Sequence, residues 1–264
     1  MRVFRDYRNL PEDARGSSIA VGNFDGVHLG HRAVMRKAEE AAHRLGAARA
    51  VLMFDPSPRQ YFVPDTQSYQ VMSIERRAEV LSGLGVDAMF VLPFDNMLAG
   101  MTDVEFAQSV LADGLGARAV SVGFDFKFGK NRVGDASSLG VQGLRLGFET
   151  CVAEKVTDGA VKASSTLVRE HLKEGRVKDA ANLLGDYWVI EAAVKDGEKR
   201  GRTIGFPTAN MYLGDFVQPR FGVYAVFVRL PDENEWRPGV ASFGRTPTTG
   251  LRDPLLEVFL HDFD

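Results

Sequence analysis

The chain has one cysteine, Cys151, almost no net charge, and no apolar run near the roughly 18 residues that a bilayer span needs. Each shortage excludes something. One cysteine cannot close an intrachain disulfide, which fits a reducing compartment, although a secreted protein of this size would need none. The opening stretch MRVFRDYRNLPEDARG is charged throughout and has no apolar h-region, so no secretory signal is read there and a cytoplasmic location away from the membrane is expected. Lys plus Arg number 32 against 35 Asp plus Glu, a net charge of −3, so no global field gathers a nucleic acid and phosphate contacts must be local. Internal repeats and low-complexity segments are also missing. What is present is an ordinary globular mixture, 45% hydrophobic and 25% charged over 264 residues, enough for one large domain or two modest ones at roughly 150 residues each.

Up to about residue 175 the pattern alternates strand and helix. Residues 18–21 read as a short buried strand, followed by a loop and then HRAVMRKAEEAAHRLG at helical spacing. A strand over 50–54 is ended by two prolines, SIERRAEVLSGLG is a helix with Ser73 as N-cap and Gly83 or Gly85 as terminator, and VDAMFVLPF is a strand. TDVEFAQSVLADGLG is a helix opened by Thr102 with Glu105 at capping-box spacing. ARAVSVGFDF, SSLGVQGLRLGF and ETCVAEKV follow as strand, helix and strand, and SSTLVREHLKEGRVKDAANLLG as a helix broken near Gly175. This alternation predicts an α/β fold with a Rossmann-like parallel sheet, whose ligands bind outside the carboxyl ends of the strands. From Tyr187 the texture changes to short β-rich runs, YWVIEAAV, GVYAVFVRL, WRPGVASFG and LLEVFLHDF, which predict a small antiparallel β-barrel or sandwich. The expected organisation is a first domain over 1–175, a linker over 176–186 and a second domain over 187–264.

Between the first strand and first helix stands GNFDGVHLGH. Gly22, Gly26 and Gly30 let backbone approach a ligand, and the helix N-terminus behind them favours phosphate. His28 and His31 share one face of a first turn and can address one anion; each alone could equally be a cap or a solvated side chain. No cysteine or third histidine lies near enough in sequence to suggest zinc. Further on, FDPSPRQYF ends a strand with Pro56 and Pro58, VGFDFKFG alternates phenylalanines with polar residues as a buried strand face also would, and SSTLVRE puts hydroxyls at a helix start. Residues 195–202 form a glycine-bearing basic loop that could fold over polyphosphate, or be a charged hairpin tip, and GFPTAN follows it.

Taken in order, these strings resemble the bifunctional riboflavin kinase/FMN adenylyltransferase family, within the wider HxGH nucleotidyltransferases. The resemblance implies that Gly22, Asn23, Phe24 and Gly26 with Ser164, Ser165, Thr166 and Arg169 bind ATP, while His28 and His31 stabilise charge on its α-phosphate. It implies a flavin side formed by Pro56, Pro58, Phe62, Asp125 and Phe128, with Ser57 where the family usually has histidine. In the second domain it implies ATP binding by Lys199, Gly201, Gly205, Pro207, Thr208 and Asn210, Mg²⁺ ligation by Thr208 and Asn210, and Glu257 as the base for the ribityl 5′-hydroxyl. ATP, riboflavin, FMN and FAD are then substrates and products, with no nucleic-acid or membrane partner. Members of the family continue past the stretch matching LEVFLHDFD through further strands and a helix, so an incomplete kinase barrel, with FMN adenylyltransferase activity alone, is the second reading. HLGH is also reminiscent of the HIGH motif of class I aminoacyl-tRNA synthetases, but no KMSKS-like string accompanies it. A protein that only binds flavin would need none of the histidines.

Overall fold

A computed structural model describes residues 1–63, 69–158, 161–195, 208–231, 233, 235–245 and 253–261. In chain order come β1 (Arg2–Phe4), β2 (Ser18–Val21), α1 (Leu29–Leu45), β3 (Arg49–Asp55), α2 (Pro58–Phe62), α3 (Ile74–Gly83), β4 (Ala88–Pro93), α4 (Asn96–Gly100) and α5 (Asp103–Glu105). The chain then runs through a π-helical stretch, Phe106–Gly114, into β5 (Ala119–Gly123), the small hairpin β6 (Lys127–Phe128) and β7 (Gly134–Asp135), α6 (Ala136–Leu146) and β8 (Glu149–Ala153). A second small hairpin, β9 (Thr157–Asp158) and β10 (Val161–Lys162), precedes α7 (Ser165–Lys173) and α8 (Val177–Leu184). The rest holds β11 (Thr208–Met211), β12 (Gly222–Val228), β13 (Arg237–Gly244) and β14 (Leu255–Leu260).

The first six long strands make one sheet in the order β1-β4-β3-β2-β5-β8, with every neighbouring pair parallel. Because side chains alternate along a strand, β2 feeds two cores. Ile19 and Val21 pack with Phe90 and Leu111 on one face, and Ala20 packs with Val34, Met53 and Leu81 on the other. Covered on both faces, the central strands β2, β3, β4 and β5 can be apolar almost throughout, which is why they read as hydrophobic runs, while the edge strands β1 and β8 stay partly exposed. From β2 the chain winds out to β3 and β4 on one side and resumes at β5 and β8 on the other. The order therefore reverses between β2 and β5, the place where open α/β sheets bind ligands.

Capping chemistry follows the sequence closely. Ser73 caps α3, Thr102 and Glu105 form a reciprocal capping box, and Gly175 (φ 78°) separates α7 from α8. The helix expected after Thr102 widens into a π-helical stretch that carries Phe106, Val110 and Leu111 into the core. The strand expected over 117–126 ends at Gly123, where the Phe126 N–H turns back to the Gly123 carbonyl (3.0 Å).

The second sheet is antiparallel, in the order β11-β14-β13-β12. The run over 187–194 is a correction to the expected strands. It is extended chain joined to this sheet, among the described residues, by the single bridge from Lys195 to Asn210. Packing holds it instead, since Trp188 and Ile190 cover the core of the second sheet and Trp188 Nε1 donates to the Val71 carbonyl (2.9 Å). Residues 176–186 carry α8, whose Ala180, Leu183 and Leu184 are buried with Val168 and Leu172 of α7 and with Val71 and Val217. Gln70 ties the two sheets' regions together by donating to Asp215 O (2.8 Å) and accepting from Val217 N (2.9 Å).

Candidate active site

The loop after β2 is wound tightly. Phe24 (φ 50°) and Val27 (φ 43°) are both fully buried in the left-handed region, which is a strained conformation for the β-branched valine. Gly26 (φ 94°) has no room for a side chain, because a Cβ there would lie 2.9 Å from Leu184 Cδ2 and 3.1 Å from Val71 Cγ1. This winding delivers His28 to the N-cap of α1, where its Nδ1 accepts the His31 N–H (3.3 Å). The rings of His28 and His31 stack with centroids 3.6 Å apart. A Cβ on Gly30 would stand 3.0 Å from both His28 Cε1 and the Ala163 carbonyl, so glycine is what lets the His28 ring lie there.

The pair opens on a cleft of about 470 Å³ at the β2/β5 switch. Gly22, Asn23, Ser164, Ser165, Thr166, Arg169 and Asp125 line it together with His28 and His31. Ser164 is the N-cap of α7, accepting the Leu167 N–H (3.2 Å), and the Ser165 hydroxyl donates to the Asp25 carbonyl (2.8 Å). Arg169 is buried and donates to Asp25 Oδ2 (2.5 Å) and to the Tyr69 carbonyl (2.6 Å), with its Cζ 3.5 Å from the Tyr69 ring centroid. Asp125 pairs with Lys162 of β10, whose ammonium also lies 4.9 Å from the Phe124 ring centroid.

Not every expected residue reaches the cleft. Phe24 and Gly26 shape the loop from beneath. Ser57, at the position where the family usually has histidine, caps α2 in a capping box with Gln60; Ser57 and Gln60 line the cleft, and Pro56 and Pro58 do not. Phe62 is 64% exposed and edges onto Tyr61 and Phe94. Phe128 is buried against Phe106 and Phe126 in the sheet core, so Phe124 and Phe126 take the lining positions. Sequence reasoning passed over Tyr69, Arg77 and Lys162, and gave no role to Asp25. Arg77 reads as one more charge on an amphipathic helix, and only the tertiary structure shows it buried and paired to Asp25 (3.0 Å).

Electrostatics keep both imidazoles neutral. Burial, reinforced by Lys162 and Arg169, pulls His28 down to about 4, and burial together with His28 and Arg77 holds His31 well below its ordinary value. His31 Nδ1 is shielded from solvent and has no hydrogen-bond partner among the described residues. A neutral His28 whose Nδ1 is an acceptor carries its proton on Nε2, which makes it a donor for an anion.

In the second sheet, Thr208 and Asn210 occupy alternate positions of β11, and Glu257 of β14 stands directly across from Asn210. Directly opposed residues share a face, so all three lie on one side of the sheet. Asn210 Oδ1 is buried without a partner among the described residues. An orphaned amide oxygen beside a hydroxyl and a carboxylate suits a hard cation that keeps most of its ligands from water and phosphate. Lys199, Gly201, Gly205 and Pro207 lie outside the described residues.

The chain matches the family models for FAD synthetase over residues 10–167 and riboflavin kinase over residues 184–264. It is 39% identical to a bifunctional riboflavin kinase/FMN adenylyltransferase of Pseudomonas fluorescens, over 100% of this chain and 84% of that protein. The protein of that name from Escherichia coli (strain K12) is 36% identical, over 99% of this chain and 84% of the relative. A solved structure described as a macrolide-efflux protein from Streptococcus pneumoniae superposes with a TM-score of 0.86 at 29% identity, covering 100% of this chain and 86% of that one. Among the described residues no helix is long and apolar enough to cross a membrane. Two family models matched in succession, the first ending at residue 167 and the second starting at 184, and relatives matched along the full length of the sequence leave one assignment: this chain belongs to the bifunctional riboflavin kinase/FMN adenylyltransferase family.

Proposed function

We propose that the chain makes FAD in two ATP-dependent steps, phosphorylating riboflavin in its second domain and adenylylating FMN in the cleft of its first. The observation that carries the reading is the stacked His28–His31 pair at the switch point of a parallel sheet, neutral and facing a cleft lined by cations. In adenylyl transfer, an FMN phosphate oxygen attacks the α-phosphorus of ATP, the bond to the bridging oxygen breaks, and pyrophosphate leaves. His28 and His31 donate N–H groups to the α-phosphate oxygens as charge builds, the kind of stabilisation worth about 3 kcal/mol per donor. No covalent intermediate on the protein is required.

In the kinase step, Glu257 accepts the proton of the ribityl 5′-hydroxyl while that oxygen attacks the γ-phosphorus and ADP departs. Mg²⁺, when bound, screens the phosphate charge, and Thr208 and Asn210 are the residues that would hold it. Incubation with ATP and Mg²⁺ plus either riboflavin or FMN, followed by chromatographic separation of the flavins, tests both steps. FMN should form from riboflavin and FAD from FMN. With His28→Ala and His31→Ala combined, FAD should disappear while FMN still forms; FAD made at the parent rate would remove the histidines from the mechanism. FAD formed only from supplied FMN would leave adenylyl transfer as the sole activity.

A further inference from the structure

One buried carboxylate organises the cleft from below. The turn at Phe24 swings Asp25 inward, where its side chain is 9% exposed. Its oxygens accept from Val71 N (3.0 Å), Met72 N (3.0 Å), Arg77 Nη2 (3.0 Å) and Arg169 Nη2 (2.5 Å). Asp25 thus joins the motif loop to α3, to α7 and to the segment over 70–73. Arg77 is pinned further by the carbonyls of Met72 (3.0 Å) and Asn23 (3.2 Å), as Arg169 is by that of Tyr69.

The charges do not balance. Asp25 is one anion against two guanidiniums whose side chains are 7% and 8% exposed, which among the described residues leaves one buried positive charge in excess. Asp55 also acts on Arg77, but it is half exposed and lies 3.8 Å from Arg5. An uncompensated buried cation is costly, and a cluster serving only to hold the fold together would be expected to pair one to one. The surplus acts on His31, whose Nδ1 has no partner among the described residues, and Arg77 and Arg169 line one cleft with the histidine pair. A polyanion entering the cleft would complete the cluster.

We propose that Asp25 is a positioning residue for adenylyl transfer: it orients Arg77 and Arg169 so that their surplus charge meets the polyphosphate in the cleft they share with the histidine pair. The inference rests on the cleft being the nucleotide site. Asp25→Asn is expected to lower kcat for FAD formation about 100-fold, with KM for ATP rising less than tenfold, because the misplaced charge matters most as the pyrophosphate separates. Asp25→Asn combined with Arg77→Met returns the buried surplus to one charge. Its thermal unfolding should move back toward the parent while kcat stays low.

Arg77→Met alone leaves a balanced Asp25–Arg169 pair and keeps the test alive if both Asp25 variants fail to fold. It should melt at or above the parent and bind inorganic pyrophosphate, measured as an inhibitor, at least tenfold more weakly. Parent-like kcat in Asp25→Asn, recovery of kcat along with stability in the double variant, or unchanged pyrophosphate inhibition in Arg77→Met would each overturn the proposal. FAD synthesis surviving the loss of both histidines would instead show that the cleft itself was misassigned.

Discussion

Acidification should reveal the buried histidines. His28 falls from an ordinary 6.5 to about 4, so between those values the unfolded chain binds a proton that the folded protein refuses. Stability is then full above pH 6.5 and is lost as pH falls through that window, at about 1.4 kcal/mol per pH unit. The total for His28 is about 3 kcal/mol, a large part of a typical folding free energy. Because Nδ1 caps α1, a proton that did bind there would also break the cap to His31 N. Urea unfolding of the parent and of His28→Gln at pH 7.5, 6.5, 5.5 and 4.5 checks this. The parent should lose about 2.5 kcal/mol more than the variant across the series, which stops short of the full window, and NMR titration of the His28 ring should show no transition near 6.5. A polyphosphate in the cleft opposes Lys162 and Arg169, so ATP binding near pH 5 should take up protons, measurable by calorimetry in buffers of different ionisation enthalpy. Equal pH slopes for parent and variant, or a His28 ring titrating near 6.5 in the free protein, would refute the reasoning.

Further tests separate fold from site. Gly26→Ala forces a side chain into Leu184 and Val71 at a positive φ and should cost about 2–4 kcal/mol in chemical unfolding. Phe128→Ala should cost about 3–5 kcal/mol in the same assay, as for a core aromatic, with KM for FMN within threefold of the parent. Asn210→Ala should raise the Mg²⁺ concentration needed for FMN formation at least tenfold and leave adenylylation of supplied FMN unchanged, the two rates being read from the same chromatogram.

The parallel sheet was legible because its central strands are buried on both faces and separated by capped helices, as with Ser73, Thr102 and the break at Gly175. The histidine pair was legible from its spacing, since three residues at the start of a helix bring two side chains together. Long-range partners left no such trace. The acceptor for Arg77 and Arg169 is a carboxylate 52 residues from one and 144 from the other; no local pattern distinguishes Arg77 from surface charge, and the SSTLVRE motif that singles out Arg169 does not point to its acceptor. Phe128 and Phe126 have the same period and chemistry, and only the packing of Phe106 sends one to the core and leaves the other at the cleft. The run over 187–194 reads like a strand, but its Trp188 and Ile190 are half-buried by packing against the helical cluster of α7 and α8 and against the second sheet rather than held by a ladder.

Label transfer addresses the assignment of the two steps most directly. With riboflavin, Mg²⁺ and ATP labelled at either the α- or the γ-phosphorus, γ-label should enter FMN and α-label should enter FAD. The combined His28→Ala and His31→Ala variant should keep γ-transfer and lose α-transfer. Parent-rate α-transfer in that variant, or no label in any flavin with the parent protein, would contradict a two-step FAD synthesis with its adenylylation at the histidine pair.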